Sequence, residues 1–122
     1  METKKKILIV EDEVPMAKAL ETKLTKEGFK AKSVPNGKEA IKELEANEYD
    51  AMLLDLIMPE MDGFSVLKQV KEKGLKVSVI ITSNLSQDED IKKATELGAK
   101  DFIVKSNTPI IEIIEKIKNL VG

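Results

Sequence analysis

Ala51-Met52-Leu53-Leu54-Asp55-Leu56-Ile57-Met58-Pro59 is an apolar run that delivers one carboxylate, Asp55, and breaks off at a proline. A short run that is apolar at consecutive positions reads as a strand buried on both faces, the pattern of a parallel sheet covered by helices. Proline cannot donate to a strand ladder, so the strand ends before Pro59 and the acid stands where the chain leaves the sheet. One acid at a strand end needs no explanation beyond a solvated loop. The rest of the chain, however, sends its other polar outliers to the same edge.

Outward from this stretch, short apolar runs alternate with segments of helical period. Residues 7–10 form a second continuous apolar run, followed by Glu11-Asp12-Glu13 and by Pro15, which suits the first turn of a helix. Ala17, Leu20 and Leu24 recur at helical spacing until Gly28 ends the element. Residues 29–34 alternate with lysines, which places this weaker strand at a sheet edge. Asn36-Gly37 opens a short helix with Ala40, Ile41 and Leu44 on its inner face. Past the central stretch, Asp62-Gly63 leads into a helix predicted to bury Phe64, Leu67 and Val70. Residues 77–81 are the fourth strand. Ser86 and Glu89 make a capping box for a helix that carries Ile91, Ala94 and Leu97 and ends at Gly98. Asp101–Val104 is a short fifth strand, and Thr108-Pro109 reads as an N-cap with proline at the first helical position. In the last helix Ile110, Ile113, Ile114, Ile117, Leu120 and Val121 share one stripe, with Ile111 about 100° off it.

Composition narrows the chemistry. At 122 residues the chain has the size of one domain with one sizeable core. A net charge of −2, from 20 basic and 22 acidic residues, creates no field that favours nucleic acid or a membrane surface. Every basic residue is a lysine, so the bidentate fork that reads phosphates and guanine is missing, a second argument against direct nucleic-acid binding. With no cysteine and no histidine, disulfides, thiolate chemistry, zinc sites and histidine acid–base catalysis are excluded. The charged N-terminus is followed by too few apolar residues for a signal peptide or a membrane span, and the chain is expected to be cytoplasmic.

Strand–helix pairs with short loops predict an α/β fold: a three-layer, doubly wound (βα)5 unit with a five-stranded parallel sheet in the order 2-1-3-4-5. Ligands of such sheets bind at the carboxyl ends of the strands, at the switch point between strands 1 and 3. Glu11 and Asp12 are therefore expected beside Asp55. Carboxylates so gathered repel one another unless protonation, a lysine or a divalent cation compensates. Lys105, just past the fifth strand, offers the lysine, and Ser83, after the fourth, adds a hydroxyl. Magnesium suits a pair of carboxylates supplemented by water and backbone oxygens. Acids, serines and lysines are individually common at strand ends, but five at the same relative position on four strands point to a functional site.

These residues carry a resemblance. Ile9-Val10-Glu11-Asp12-Glu13, Asp55-Leu56-Ile57-Met58-Pro59 with Met61-Asp62-Gly63, Ser83, and Gly98-Ala99-Lys100-Asp101-Phe102-Ile103-Val104-Lys105 together resemble the receiver domain of bacterial two-component response regulators, in that family's order and spacing. The resemblance covers nearly the whole chain and implies one receiver domain over residues 1–122. It implies that Asp55 accepts a phosphoryl group from a phosphohistidine on a sensor histidine kinase or a histidine phosphotransfer protein. Asp12 is then a direct ligand of Mg²⁺, Glu11 acts largely through water, Asp55 supplies a carboxylate oxygen and Ile57 its backbone carbonyl. Lys105 neutralises phosphoryl oxygens, and Ser83, at the family's distance of 22 residues from Lys105, supplies the switch hydroxyl in preference to Thr82. Phe102 matches the family's switch aromatic. Output would pass through the fourth helix, fifth strand and fifth helix, with Ile111 a candidate for the partner surface. The implied role is signalling, with self-phosphorylation and slow autodephosphorylation as its only reactions.

Three departures from the family pattern set further expectations. Ser106 stands where proline usually follows the lysine, so a trans peptide and a reshaped loop are expected. Asn84 replaces the usual alanine or glycine beside the switch hydroxyl, and its bulk would narrow access to Asp55. Ile57 and Leu85 flank the site and are both apolar; neither orients an attacking water, so a long-lived phosphoryl group is expected. The alternative is a receiver-like interaction module that works without phosphorylation, although none of the five site residues is missing. A haloacid-type phosphatase would need an aspartate where Ile57 stands, and a flavin phosphate would be repelled by Glu11-Asp12-Glu13. The expected partners are the phosphohistidine donor and either a downstream protein or a C-terminal effector domain absent from this sequence, with the chain a monomer or a phosphorylation-dependent dimer.

Overall fold

Alternation of side chains along the strands divides the core into two halves, one on each face of the sheet. The computed structural model describes residues 4–58, 61–84 and 88–121, with Asn107 described by its backbone alone. Its elements run β1 (Lys6–Val10), α1 (Val14–Lys26), β2 (Lys30–Val34), α2 (Gly37–Ala46), β3 (Ala51–Asp55), α3 (Gly63–Glu72), β4 (Ser78–Ser83), α4 (Asp88–Glu96), β5 (Asp101–Val104) and α5 (Ile110–Val121). A 3₁₀ turn over Lys105–Asn107 joins β5 to α5. All four strand pairings are parallel and the order is β2-β1-β3-β4-β5, the predicted doubly wound arrangement.

Leu8, Val10, Met52, Leu54, Val79 and Ile81 project from one face and pack with Ala40, Ile41 and Leu44 of α2, Val66, Leu67 and Val70 of α3, and Ala94 of α4. Ile7, Ile9, Ala51, Leu53, Ile80 and Ile103 project from the other and pack with Leu20 and Leu24 of α1 and Ile113, Ile114 and Ile117 of α5. β3 is buried at every position, having strand neighbours on both sides and helices on both faces. β2, at one edge, reaches full burial only at Val34. No helix among the described residues is long and apolar enough to cross a membrane.

Several local expectations shift. In α3 the buried positions are Val66, Leu67 and Val70, whereas Phe64 is half-buried at the flank, its ring covered by Lys93 with Nζ 4.3 Å from the centroid. β4 starts at Ser78 and continues through Thr82 and Ser83, because parallel pairing with β3 and β5 satisfies the backbone of both polar residues. β2 begins at Lys30, and Phe29 is buried just before it. In α4 only Ala94 is fully buried; Ile91 and Leu97 are half-buried. Ser86 of the expected capping box lies outside the described residues, as does Leu85. α5 starts one residue later than predicted: Pro109 O accepts from the N–H groups of Glu112 and Ile113, so Pro109 itself holds the capping position. Ile111 lies off the stripe as expected and is 62% exposed.

Candidate functional site

Strand register assembles the site from distant parts of the chain. Val10 pairs with Leu54, so Glu11, one residue past β1, comes beside Asp55 at the end of β3. Glu11 N donates to Val34 O at 3.1 Å, which holds the chain extended as it leaves β1. Asp55 pairs in turn with Thr82, and Ser83 pairs with Val104, leaving Lys105 one residue beyond β5 at the same edge. After Asp55 the chain folds back: Ile57 N donates to Asp55 Oδ1 at 3.2 Å, and Gly63 N to Leu56 O at 3.0 Å. Asp62 then caps α3, its Oδ1 accepting from Ser65 N at 2.9 Å.

One carboxylate oxygen from each of Glu11, Asp12 and Asp55 lies within 4.8 Å of the others. Glu11 and Asp55 are each only 4% exposed, while Asp12 faces solvent. The Lys105 side chain reaches into the cluster, with Nζ 2.5 Å from Glu11 Oε1, 3.3 Å from Asp55 Oδ2 and 3.6 Å from Glu13 Oε1. Burial pushes the Glu11 carboxyl up to about 7; the hydrogen bond and charge of Lys105 act against that rise, and the neighbouring Asp55 adds to it. Burial works against the Lys105 cation, but its hydrogen bond to Glu11 and the charges of Asp55 and Glu11 outweigh it and raise the ammonium above its usual range.

Glu11 Oε2 is buried and accepts no hydrogen bond among the described residues. An orphaned carboxylate oxygen in a low-dielectric site is costly unless something else takes it up. An orphan oxygen within a group of hard oxygen donors that includes exposed Asp12 fits a divalent cation such as magnesium, which retains waters on its open side.

The remaining candidates occupy the same edge. Ser83 is fully buried, and Phe102, half-buried, packs against the core on the α4 side. Ile81 pairs with Phe102 and alternates with Ser83, so the hydroxyl and the aromatic lie on one face of the sheet. Thr82, buried as well, is the in-register partner of Asp55. Ile57 exposes 59% of its surface beside Asp55. No peptide bond among the described residues is cis, in keeping with serine after Lys105. Asn84 Oδ1 accepts a hydrogen bond from Ser106 N at 3.0 Å, a contact the sequence reading did not anticipate. Glu13 was also missed as a partner of Lys105, although its place in an acidic run after β1 was a visible signal.

The model of the response regulator receiver domain matches residues 7–118. Among curated relatives, the response regulator SaeR of Staphylococcus aureus (strain USA300) is 36% identical over 114 residues, which cover 93% of this chain and 49% of SaeR. The chain thus spans about half the length of the curated relatives it matches. Among solved structures, the receiver domain of the Francisella response regulator 1452 superposes with a TM-score of 0.90 at 30% identity, covering 96% of both chains. The response regulator TrrA of Thermotoga maritima, solved in complex with Mg²⁺-BeF, superposes with a TM-score of 0.83 at 31% identity, covering 95% of this chain and 98% of that one. With this fold, this acidic edge and these relatives, the chain belongs to the response regulator receiver domain family of two-component signalling.

Proposed function

We propose that the chain accepts a phosphoryl group on Asp55 from a phosphohistidine of a sensor histidine kinase or a histidine phosphotransfer protein, in a magnesium-dependent reaction. The observation that carries this reading is the meeting of Asp55 with two further carboxylates and one lysine at the carboxyl edge of the sheet. An Asp55 carboxylate oxygen attacks phosphorus, the P–N bond of the donor breaks, and its electron pair leaves with the imidazole, giving an acyl phosphate on Asp55. Lys105, already 3.3 Å from Asp55 Oδ2, lies within reach of charge developing on the phosphoryl oxygens. Asp12, Glu11, the Asp55 carboxylate and the Ile57 carbonyl would hold Mg²⁺, with the orphan Glu11 Oε2 as an available oxygen. Bound there, the cation supplies charge neutralisation and alignment of the donor and acceptor oxygens.

Ser83 is the hydroxyl that bonds the new phosphoryl group, and Phe102 follows its movement from the shared face of the sheet. Phosphorylation then shifts the population of a two-state surface built from α4, β5 and α5. That surface is read by a downstream protein or by an effector domain in a longer regulator. The chain acts as one receiver unit and does not turn over substrates beyond gaining and slowly losing its own phosphoryl group.

Incubation with acetyl phosphate and Mg²⁺ tests the reading by intact mass and by acid–urea mobility. Wild type should gain one phosphoryl group and Asp55→Asn none. Absence of an Asp55-dependent mass change, and of any spectral response to BeF₃⁻ with Mg²⁺, would remove it.

A further inference from the structure

We propose that Asn84 is a positioning residue: its side-chain carbonyl ties the turn that carries Lys105 to the end of the strand that carries Ser83. This rests on the phosphoryl-acceptor reading given above.

The β4–β5 ladder ends where Ser83 pairs with Val104. Beyond that point the backbone of Lys105 and Ser106 enters a 3₁₀ turn, a conformation with poor hydrogen-bond geometry that is stable only in short pieces. The turn is closed by Thr108 N donating to Lys105 O at 3.5 Å, the outer limit of a hydrogen bond. The 3.0 Å bond from Ser106 N to Asn84 Oδ1 is much the better of the two, and it runs across to β4. The asparagine side chain thereby prolongs the strand pairing by one rung, using a side-chain carbonyl in place of a backbone one.

Its consequence falls on the residues either side. Ser83, next to Asn84, is fully buried. Lys105, next to Ser106, must direct its ammonium between Glu11 and Asp55. Fixing Ser106 against Asn84 fixes the spacing between the lysine and the hydroxyl that would grip the same phosphoryl group. Aspartate in place of asparagine would keep an acceptor of the same reach, leucine would keep the bulk without the acceptor, and alanine would remove both.

The test compares wild type with Asn84→Leu, Asn84→Ala and Asn84→Asp. Hydrogen exchange of the Ser106 amide reads the tie itself, and acyl-phosphate formation from acetyl phosphate with Mg²⁺ reads its consequence. The leucine and alanine variants should both lose Ser106 protection and gain phosphate about three- to tenfold more slowly, the size of effect one exposed hydrogen bond can carry. The aspartate variant should retain the protection, and thermal midpoints should hardly move. An alanine variant faster than wild type would overturn the proposal, since the side chain would then be an obstacle to the donor. Loss of protection with no change in rate would overturn it equally. Failure of the underlying reading looks different: wild type itself stays unlabelled at Asp55, and the positioning role falls with it.

Discussion

Lys105 and Glu11 form an ion pair closed off from solvent on both sides, with Nζ 2.5 Å from Oε1 and only 9% and 3% of the two side chains exposed. Surface ion pairs contribute little, but a buried pair behaves asymmetrically: the intact pair roughly balances its desolvation cost, whereas removal of one partner strands the other. Here the stranded group would be a carboxylate beside two more, one of its oxygens already without a hydrogen bond.

Lys105→Ala should therefore destabilise the protein by about 1–3 kcal/mol in the absence of divalent cation. Millimolar Mg²⁺ should restore much of that loss, since a cation that binds only the folded state stabilises it by mass action. Phosphoryl acceptance should remain impaired at saturating Mg²⁺, because charge neutralisation by the lysine is not replaced. Urea unfolding with and without Mg²⁺, paired with labelling rates, separates the two effects. Equal destabilisation under both conditions would contradict this account of the acid cluster.

Gly63→Ala tests the support beneath Asp55. A Cβ at Gly63 would lie 2.7 Å from the carbonyl oxygen of Asp55 and 2.8 Å from Leu56 Cα, both backbone atoms that cannot rotate away. The end of β3 and the start of α3 would have to separate, at a cost of about 1–3 kcal/mol. Denaturant midpoints should fall accordingly and Mg²⁺ affinity should weaken, because the displaced residues carry the acid cluster. Gly74→Ala makes an informative contrast, as no atom lies within 4 Å of its added Cβ and only its positive φ of 64° is strained.

The sheet order was legible because β1 and β3 are continuous apolar runs, whereas β2 alternates with lysines; burial on two faces and exposure at an edge leave different sequence patterns. Once the strands are parallel, their carboxyl ends share one edge, so the convergence of Glu11, Asp12, Asp55 and Lys105 followed from topology. The individual roles came from resemblance to a known family and not from periodicity. Helix α3 was harder to read: in ten residues the positions 63, 66, 67 and 70 and a stripe through 64 overlap, and aromatic bulk drew the reading to Phe64. Loop contacts such as Asn84 with Ser106, or Glu13 with Lys105, depend on turn geometry that has no period to detect.

Glu43 gives a pH dependence remote from the acid cluster. The Tyr49 hydroxyl donates to its Oε1 at 2.8 Å and Lys32 Nζ to its Oε2 at 3.0 Å, and these bonds hold its carboxyl below the usual glutamate range. A depressed folded-state value stabilises the protein above the unfolded value, and that stability disappears as pH falls through the folded one. Tyr49→Phe should cost about 1 kcal/mol near neutral pH. The gap between variant and wild type should narrow once pH drops below about 4, where the glutamate is protonated in the unfolded chain. Urea unfolding at about pH 7 and about pH 3.5 measures both differences. A gap that stays constant would mean the hydroxyl contributes through packing alone.

Ile57 is the position from which the lifetime of a phosphoryl group on Asp55 can be set. Its side chain is 59% exposed, so a polar replacement there removes little from the core. Its backbone N–H already bonds Asp55 Oδ1 at 3.2 Å, which keeps the residue beside the acceptor whatever its side chain. An isoleucine offers a water molecule neither donor nor acceptor, and hydrolysis of an acyl phosphate needs a water held in line with the P–O bond. Ile57→Asn supplies both groups at the same place and should hasten loss of the phosphoryl group by about tenfold, with thermal stability within about 0.5 kcal/mol of wild type. The measurement is decay of the labelled protein after removal of acetyl phosphate, run in parallel with Ile57→Val, which keeps the apolar character and should decay at the wild-type rate. Loss of label from wild type within seconds, with no acceleration in Ile57→Asn, would show that another residue controls the lifetime.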